Sequence, residues 1–255
     1  MARGRLDGTG ILITRPALQA AALARQIAAV GGVPLVFPAI VILPPVDRRA
    51  LDEAQRQLAH YDCAFFVSAN AVEFGVGDPA RWPPQLRVYA PGPGTAAALA
   101  VAGIRDVRVP QTTLDSEGLL ALPELAAIAG KRMLILRGSG GRELLGSTLA
   151  ARGARVDYVE CYVRAKPTAD AAGVEEALRE GRVDAATFTS SEGLDNLWEL
   201  LGAEARARIA ATPAFVPHPR IAERARALGI AKVIVTEPLD SGLIATLLEY
   251  FAVAR

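Results

Sequence analysis

Asp62-Cys-Ala-Phe-Phe-Val-Ser68 and Asp184-Ala-Ala-Thr-Phe-Thr-Ser190 are one pattern written twice. Asp62 matches Asp184, Ala64 matches Ala186, Phe66 matches Phe188 and Ser68 matches Ser190. Each is a short apolar strand that ends in a hydroxyl residue. Each then runs into a helix start, Ala69-Asn-Ala-Val72 in one case and Ser191-Glu-Gly-Leu194 in the other. Internal repetition of this kind decides the architecture before any single element does.

Three further pairs keep the same order. Ile11-Leu-Ile-Thr-Arg15 resembles Met133-Leu-Ile-Leu-Arg137. Each ends in Arg and leads into a helix that finishes near a glycine, Gly32 or Gly153. Val88-Tyr-Ala-Pro-Gly-Pro-Gly-Thr-Ala96 aligns without gaps with Ala214-Phe-Val-Pro-His-Pro-Arg-Ile-Ala222. Both continue as Ala-rich helices to Gly103 and Gly229, the usual helix C-terminal signal. Both then enter a β-branched strand, Val107 to Val109 or Val233 to Val235. Asp115-Ser-Glu-Gly-Leu-Leu120 matches Asp240-Ser-Gly-Leu-Ile244 with one residue deleted. Any strand–helix alternation looks self-similar, but alternation does not demand Asp at 62 and 184 or Pro at 91 and 217.

Apolar runs alternating with helices of roughly 10–15 residues indicate an α/β fold with parallel sheets. Continuous apolar strands fit a sheet covered on both faces. The expectation is two similar parallel-sheet α/β domains. Ligands of such sheets sit at the carboxyl ends of the strands. The repeated Thr, Ser, Arg and Gly residues fall there, and two such ends facing each other would form one cleft.

Composition excludes several classes. The 255 residues suit one large or two smaller domains, and 51% hydrophobic with 22% charged residues provides globular cores. With aromatics at 5%, those cores are built from Ala, Leu, Val and Ile. A net charge of +1 gives no overall pull toward nucleic acid or anionic lipid. Met1 to Gly8 lacks the apolar core of a signal peptide. The most hydrophobic stretch, Ala28 to Val46, is broken by glycines and prolines and reads as two short buried strands, not a membrane helix. A cytoplasmic, soluble chain is expected, and few exposed apolar stretches favour a monomer. Cys63 and Cys161 lie in apolar runs and read as buried, reduced thiols.

Candidate site residues cluster at the strand ends. Arg137-Gly-Ser-Gly-Gly-Arg142 is a Gly-rich turn before a helix, suited to anions through backbone N–H groups and flanking guanidinium groups, or else a plain tight turn. It has no Lys-Ser/Thr pair and is not a nucleotide-binding Walker loop. Gly92-Pro-Gly94-Thr95 lacks the third glycine of a dinucleotide fingerprint, and Pro93 removes a backbone donor. Thr14, Ser68, Thr95, Thr189, Ser190 and Ser191 suit helix capping, ligand binding or both. Tyr162 is expected half-buried, either as a core aromatic or as a phenol facing the cleft. His60 is expected at the surface, whereas His218 lies at a strand-to-helix turn. No His, Cys or carboxylate group has metal-ligand spacing, and no nucleophile elbow is present. A cofactor-free enzyme or a binding protein remains.

Together these segments resemble the uroporphyrinogen-III synthase family. The similar motifs are Leu12-Ile-Thr-Arg-Pro16 with Gln19, Phe66-Val-Ser-Ala-Asn-Ala-Val72, Pro93-Gly-Thr-Ala96, Leu136-Arg-Gly138 with Gly141-Arg-Glu143, Gly153 through Tyr162, Phe188-Thr-Ser-Ser191 and His218-Pro-Arg-Ile-Ala222. They run from about residue 10 to about 245. The resemblance implies two flavodoxin-like domains, 1–37 with 165–255 and 38–164, with linker strands near 38–43 and 159–164. It implies closure of hydroxymethylbilane to uroporphyrinogen III, with loss of water and inversion of the last pyrrole ring, and no cofactor or metal. Positioning a flexible substrate with eight carboxylates is then the main task. Tyr162 matches the tyrosine proposed as proton donor. Thr95 and the Thr189-Ser190-Ser191 turn match cleft-lining positions. Arg15, Arg137 and Arg220, with backbone groups at Thr14, Ser68, Asn70, Gly94 and Gly138, are candidates for the carboxylates. His218 sits in a turn that varies in the family. Handover of the substrate from hydroxymethylbilane synthase stays open. The competing readings are a non-catalytic two-lobed anion-binding or regulatory protein of the same fold, and a phosphate-binding α/β transferase using the 138–141 turn.

Overall fold

The computed structural model of the protein describes residues 6–168 and 170–253. Residues 1–5, most of the segment read above for a signal peptide, lie outside them. By contacts the chain divides into two compact units. One holds the residues up to Val41 and those from Ala165 onward, and the other holds Ile42–Arg164.

The first unit contains β1 (Gly10–Ile13), α1 (Ala17–Ala29) and β2 (Val33–Val36) from the start of the chain. After α7 (Ala172–Arg179) come β9 (Ala185–Thr187), α8 (Ser191–Leu200), α9 (Ala203–Ala211), β10 (Ala214–Val216), α10 (Pro219–Ala227), β11 (Val233–Val235) and α11 (Leu239–Val253). Its sheet runs β11-β10-β9-β1-β2, with every neighbouring pair parallel. Successive side chains of a strand point to opposite faces. Accordingly Leu12, Ala186 and Val216 enter a core with α7, α8, α9 and α10, while Ile11, Ile13, Ala185 and Phe215 enter one with α1 and α11.

The second unit has β3 (Val41–Leu43) at its start, then α2 (Arg49–Arg56), β4 (Cys63–Phe66), α3 (Ala69–Gly75), β5 (Arg87–Tyr89), α4 (Pro93–Val101) and β6 (Val107–Arg108). The short α5 (Ser116–Leu120) precedes β7 (Arg132–Gly138), α6 (Leu144–Ala151) and β8 (Arg155–Ala165). The sheet order is β3-β8-β7-β4-β5-β6. Ala64, Phe66, Leu134 and Leu136 pack toward α2, α3 and α4, and Cys63, Phe65, Met133 and Ile135 toward α5 and α6. Both cysteines are buried and unpaired.

Laid side by side, β2-β1-β9-β10-β11 and β8-β7-β4-β5-β6 have one order. Each sheet takes its first two strands from one repeat and its last three from the other. The repeated aspartates sit at that exchange. Asp184 donates its N–H to the Gly10 carbonyl at 2.8 Å and accepts the Gly10 N–H on its carboxylate at 2.7 Å. Asp62 does the same to Arg132, at 2.9 Å for both bonds. Two-point pairing of this kind fixes the register between strands that are distant in sequence.

One expectation is corrected. The strands within Ala28 to Val46 are β2 and β3, but they lie at sheet edges and are half-exposed, not buried. Pro34 is compatible with β2 for the same reason, since an edge strand leaves one row of N–H groups unused. α1 finishes near Gly32 as expected, with Gly31 as its left-handed residue at φ 91°, and Gly103, Gly153 and Gly229 follow their helices at φ 94°, 85° and 91°. Among the described residues no helix is long and apolar enough to cross a membrane.

Candidate active site

In each sheet the strand order reverses at one pair of neighbours, where a strand of one repeat meets a strand of the other, so the crevice beyond their carboxyl ends is the expected ligand position. In the second unit those strands are β7 and β4. A pocket of about 200 Å³ opens there, lined by Val67, Arg137, the 138–141 turn, Arg142, Tyr158, Tyr162 and Arg164 among others. Ser68 follows β4 and caps α3, its Oγ accepting the Ala71 N–H at 3.1 Å. The same Oγ lies 3.2 Å from the Tyr162 hydroxyl, and either group can donate.

Tyr162 is not half-buried as expected; it is 2% exposed. Two features bury it. The register of β7 and β8 slips by one residue, so that Arg137 faces Glu160 but Gly138 faces Tyr162. The slip turns the Tyr162 ring to the side of Val159 and Cys161, into the core below α3. Gly138 also has no side chain where the ring lies: a Cβ there would be 2.5 Å from Tyr162 Cε2. Burial pushes the neighbouring Cys161 thiol up to about 12, so it is held as the unreactive neutral form.

Arg137 is largely buried, with its guanidinium carbon 4.2 Å from the centre of the Tyr158 ring. Its Nη2 is 3.7 Å from a carboxylate oxygen of Glu143 and of Glu160, while its Nε and Nη1 are buried without hydrogen-bond partners. Arg142 pairs with Glu117 of α5, and that contact holds the Glu117 carboxyl below the usual range. Sequence reasoning did not single out Tyr158. No local signal marked it, because Tyr158 is distant in sequence from the Gly-rich turn and meets it only through the pairing of β7 with β8; it also fills the space left by Gly146, where a Cβ would stand 1.9 Å from its hydroxyl oxygen.

In the first unit the matching strands are β1 and β9. Thr14 donates to the Thr187 carbonyl at 2.8 Å, and Thr187 donates to the Leu12 carbonyl at 3.0 Å, so both buried hydroxyl groups serve the strand pair. A pocket of about 240 Å³ beside them is lined by Arg15, Gln19, Thr189, Leu239 and Asp240 among others. Arg15 Nη1 donates to Asp240 at 2.7 Å. Leu239 holds φ 72° there, a strained conformation for a side chain other than glycine.

The remaining candidates stand apart from these pockets. Ser190 caps α8 through the Gly193 N–H at 3.0 Å, with Ser191 opening the helix. Asn70 and Thr95 are buried in the first turns of α3 and α4. α4 has no side-chain cap, and Gly94 has open space around its Cβ position. His218 caps α10, its Nδ1 accepting the Arg220 N–H at 3.1 Å, and both residues are exposed. His60 is exposed as expected. Among the described residues no three of His, Cys, Asp and Glu gather as a metal ion would require.

Residues 21–245 match the family model described as uroporphyrinogen-III synthase HemD. The chain belongs to the uroporphyrinogen-III synthase family. It is 40% identical over 238 residues to the uroporphyrinogen-III synthase of Salmonella typhimurium, covering 91% of this chain and 96% of the relative. Against the Escherichia coli enzyme the identity is 37% with the same coverage. Solved structures share the fold. That of Thermus thermophilus uroporphyrinogen III synthase has a TM-score of 0.56 at 23% identity, covering 96% of this chain and 99% of that one. That of the Helicobacter pylori enzyme has a TM-score of 0.60 at 14% identity, covering 95% and 99%.

Proposed function

We propose that this chain is a cyclising lyase that closes hydroxymethylbilane to uroporphyrinogen III, with loss of water and inversion of the last pyrrole ring. Family membership along nearly the whole chain carries this reading. The chemistry asks for two things. The flexible substrate must be held so that the substituted carbon of its terminal ring is attacked, through a spiro intermediate, which is a matter of orientation. The departing hydroxyl must also be protonated.

Tyr162 and Ser68 supply the proton in this reading. The phenol is buried at the wall of the pocket of about 200 Å³, and the half-exposed Ser68 hydroxyl 3.2 Å from it links it to the start of α3. Arg15, Arg137 and Arg220 and the helix-start amides near Asn70, Gly94, Thr95 and Ser191 are the candidates for its carboxylates. The domain reading belongs to the same proposal: flavodoxin-like domains of 1–37 with 165–255 and of 38–164, on linker strands near 38–43 and 159–164. So does a monomer acting in the cytoplasm.

The test is a coupled assay. Hydroxymethylbilane made freshly by its own synthase is supplied with and without the protein, and the oxidised products are separated into type I and type III isomers. Type III only in the presence of the protein is the expected result. Type I in both, with the protein folded, refutes the enzyme and favours a two-lobed binding protein.

A further inference from the structure

The two repeats carry equivalent arginines, Arg15 after β1 and Arg137 at the end of β7, and the structure treats them differently. Arg15 is answered from within its own unit: Asp240 accepts its Nη1 at 2.7 Å, and Gln26 approaches the other oxygen of that carboxylate at 3.5 Å. Arg137 donates no side-chain hydrogen bond among the described residues. Its nearest carboxylates, on Glu143 and Glu160, stay at 3.7 Å, beyond hydrogen-bond reach, and both are well exposed. Its Nε and Nη1 are buried and unpartnered, whereas Arg15 leaves only its Nε so and has a direct hydrogen bond to a carboxylate.

One residue accounts for the difference. The partner of Arg15, Asp240, corresponds to Asp115 in the other repeat. Asp115 instead caps α5, accepting the Gly118 N–H at 2.9 Å. Between them the first repeat has Asp-Ser-Glu-Gly where the second has Asp-Ser-Gly, and the extra residue, Glu117, pairs with Arg142. The carboxylate that occupies Arg15 is therefore spent elsewhere in the second unit. A largely buried guanidinium left without hydrogen bonds destabilises the fold, and a carboxylate arriving from outside removes that cost. The planar fork of arginine suits a carboxylate's two oxygens.

We propose that Arg137, rather than Arg15, is the arginine that takes a substrate carboxylate, and that Arg15 is committed to holding α11 through Asp240. The subsite is the pocket between the 138–141 turn, Tyr158 and Tyr162, whose volume of about 200 Å³ is open to an acetate- or propionate-sized arm. This inference rests on the proposed substrate, which the isomer assay on the unaltered protein judges by itself.

Its own test needs no turnover. Binding of uroporphyrin III, the stable oxidised form of the product, is measured by its fluorescence, and thermal stability is measured on the same samples. Arg137→Gln should weaken binding roughly 10- to 100-fold, as loss of a charged hydrogen-bonded contact does, with a melting temperature unchanged or raised. Arg15→Gln should lower the melting temperature and cost less affinity than Arg137→Gln. Arg137→Lys, which keeps the charge and loses the fork, should fall between the unaltered protein and Arg137→Gln in affinity. A lowered melting temperature with unchanged binding in Arg137→Gln makes Arg137 structural and overturns the proposal. So does an equal or larger loss of affinity in Arg15→Gln.

Discussion

The ring of Tyr162 lies over Gly138, so closely that a Cβ at 138 would stand 2.5 Å from the ring edge and 2.9 Å from the hydroxyl oxygen. The glycine is needed for space and not for its backbone freedom, since it is not among the residues of positive φ. Gly138→Ala should therefore displace the ring, and overpacking of this kind costs roughly 1–3 kcal/mol. The expected result is a lower melting temperature together with a lower rate of type III formation. Loss of stability at full activity would separate Tyr162's position from the chemistry.

Removing the phenol oxygen tests the proton role directly. Tyr162→Phe keeps the packing against Gly138 and Phe74 but abolishes the contact with Ser68. General acid catalysis contributes about 10²–10⁴-fold, so kcat should fall by that order with KM little changed. Ser68→Ala should lower kcat as well, and should lose the cap on α3, worth about 1 kcal/mol. An unchanged kcat in Tyr162→Phe would move the acid elsewhere.

The paired aspartates predict a stability effect with a defined pH dependence. The Arg132 N–H, helped by Lys131, holds the Asp62 carboxyl below its usual 3.8. A depressed carboxyl stabilises the fold when ionised, so its contribution is present above the unfolded value and is lost as pH falls through the folded one. Asp62→Asn should therefore be destabilising at neutral pH, by about 1 kcal/mol, and progressively less so below about pH 4. Denaturant melts at pH 7 and pH 3 would show it; an equal effect at both would mean that the carboxylate charge is irrelevant.

Cys161 should resist alkylation in the native protein. Its thiol is fully buried and its acidity is pushed to about 12, whereas the thiolate is the reactive form. Mass spectrometry after brief treatment with iodoacetamide should find it modified only once denaturant is added. Rapid labelling of the folded chain would mean that the core below α3 opens readily.

Much of this molecule was legible from pattern alone, and for physical reasons. Parallel strands buried on both faces are apolar throughout, and a left-handed glycine is a common end for the helices between them, so Cys63–Phe66, Ala214–Val216, Gly103 and Gly229 announced themselves. The capping serines Ser68 and Ser190 were visible because a hydroxyl before a helix has a local task. Partnership between side chains distant in sequence was not legible. Thr14 and Arg15 read as ligand groups, yet Thr14 bonds Thr187 and Arg15 bonds Asp240.

The sequence by itself determined the α/β class, the repetition and the family, because these depend on local periodicity and on motif order. Local pattern could not decide which strands lie side by side, since exchange of the opening strands between repeats leaves every local pattern unchanged; the family resemblance implied the exchange, and the strand pairing carries it. Only the tertiary structure decided where Tyr162 points. Simple alternation places Tyr158, Glu160 and Tyr162 on one face of β8, but the slip opposite Gly138 turns Tyr162 to the other. A strand reverses its faces at one added residue, and only pairing with a neighbour reveals which residue is the extra one.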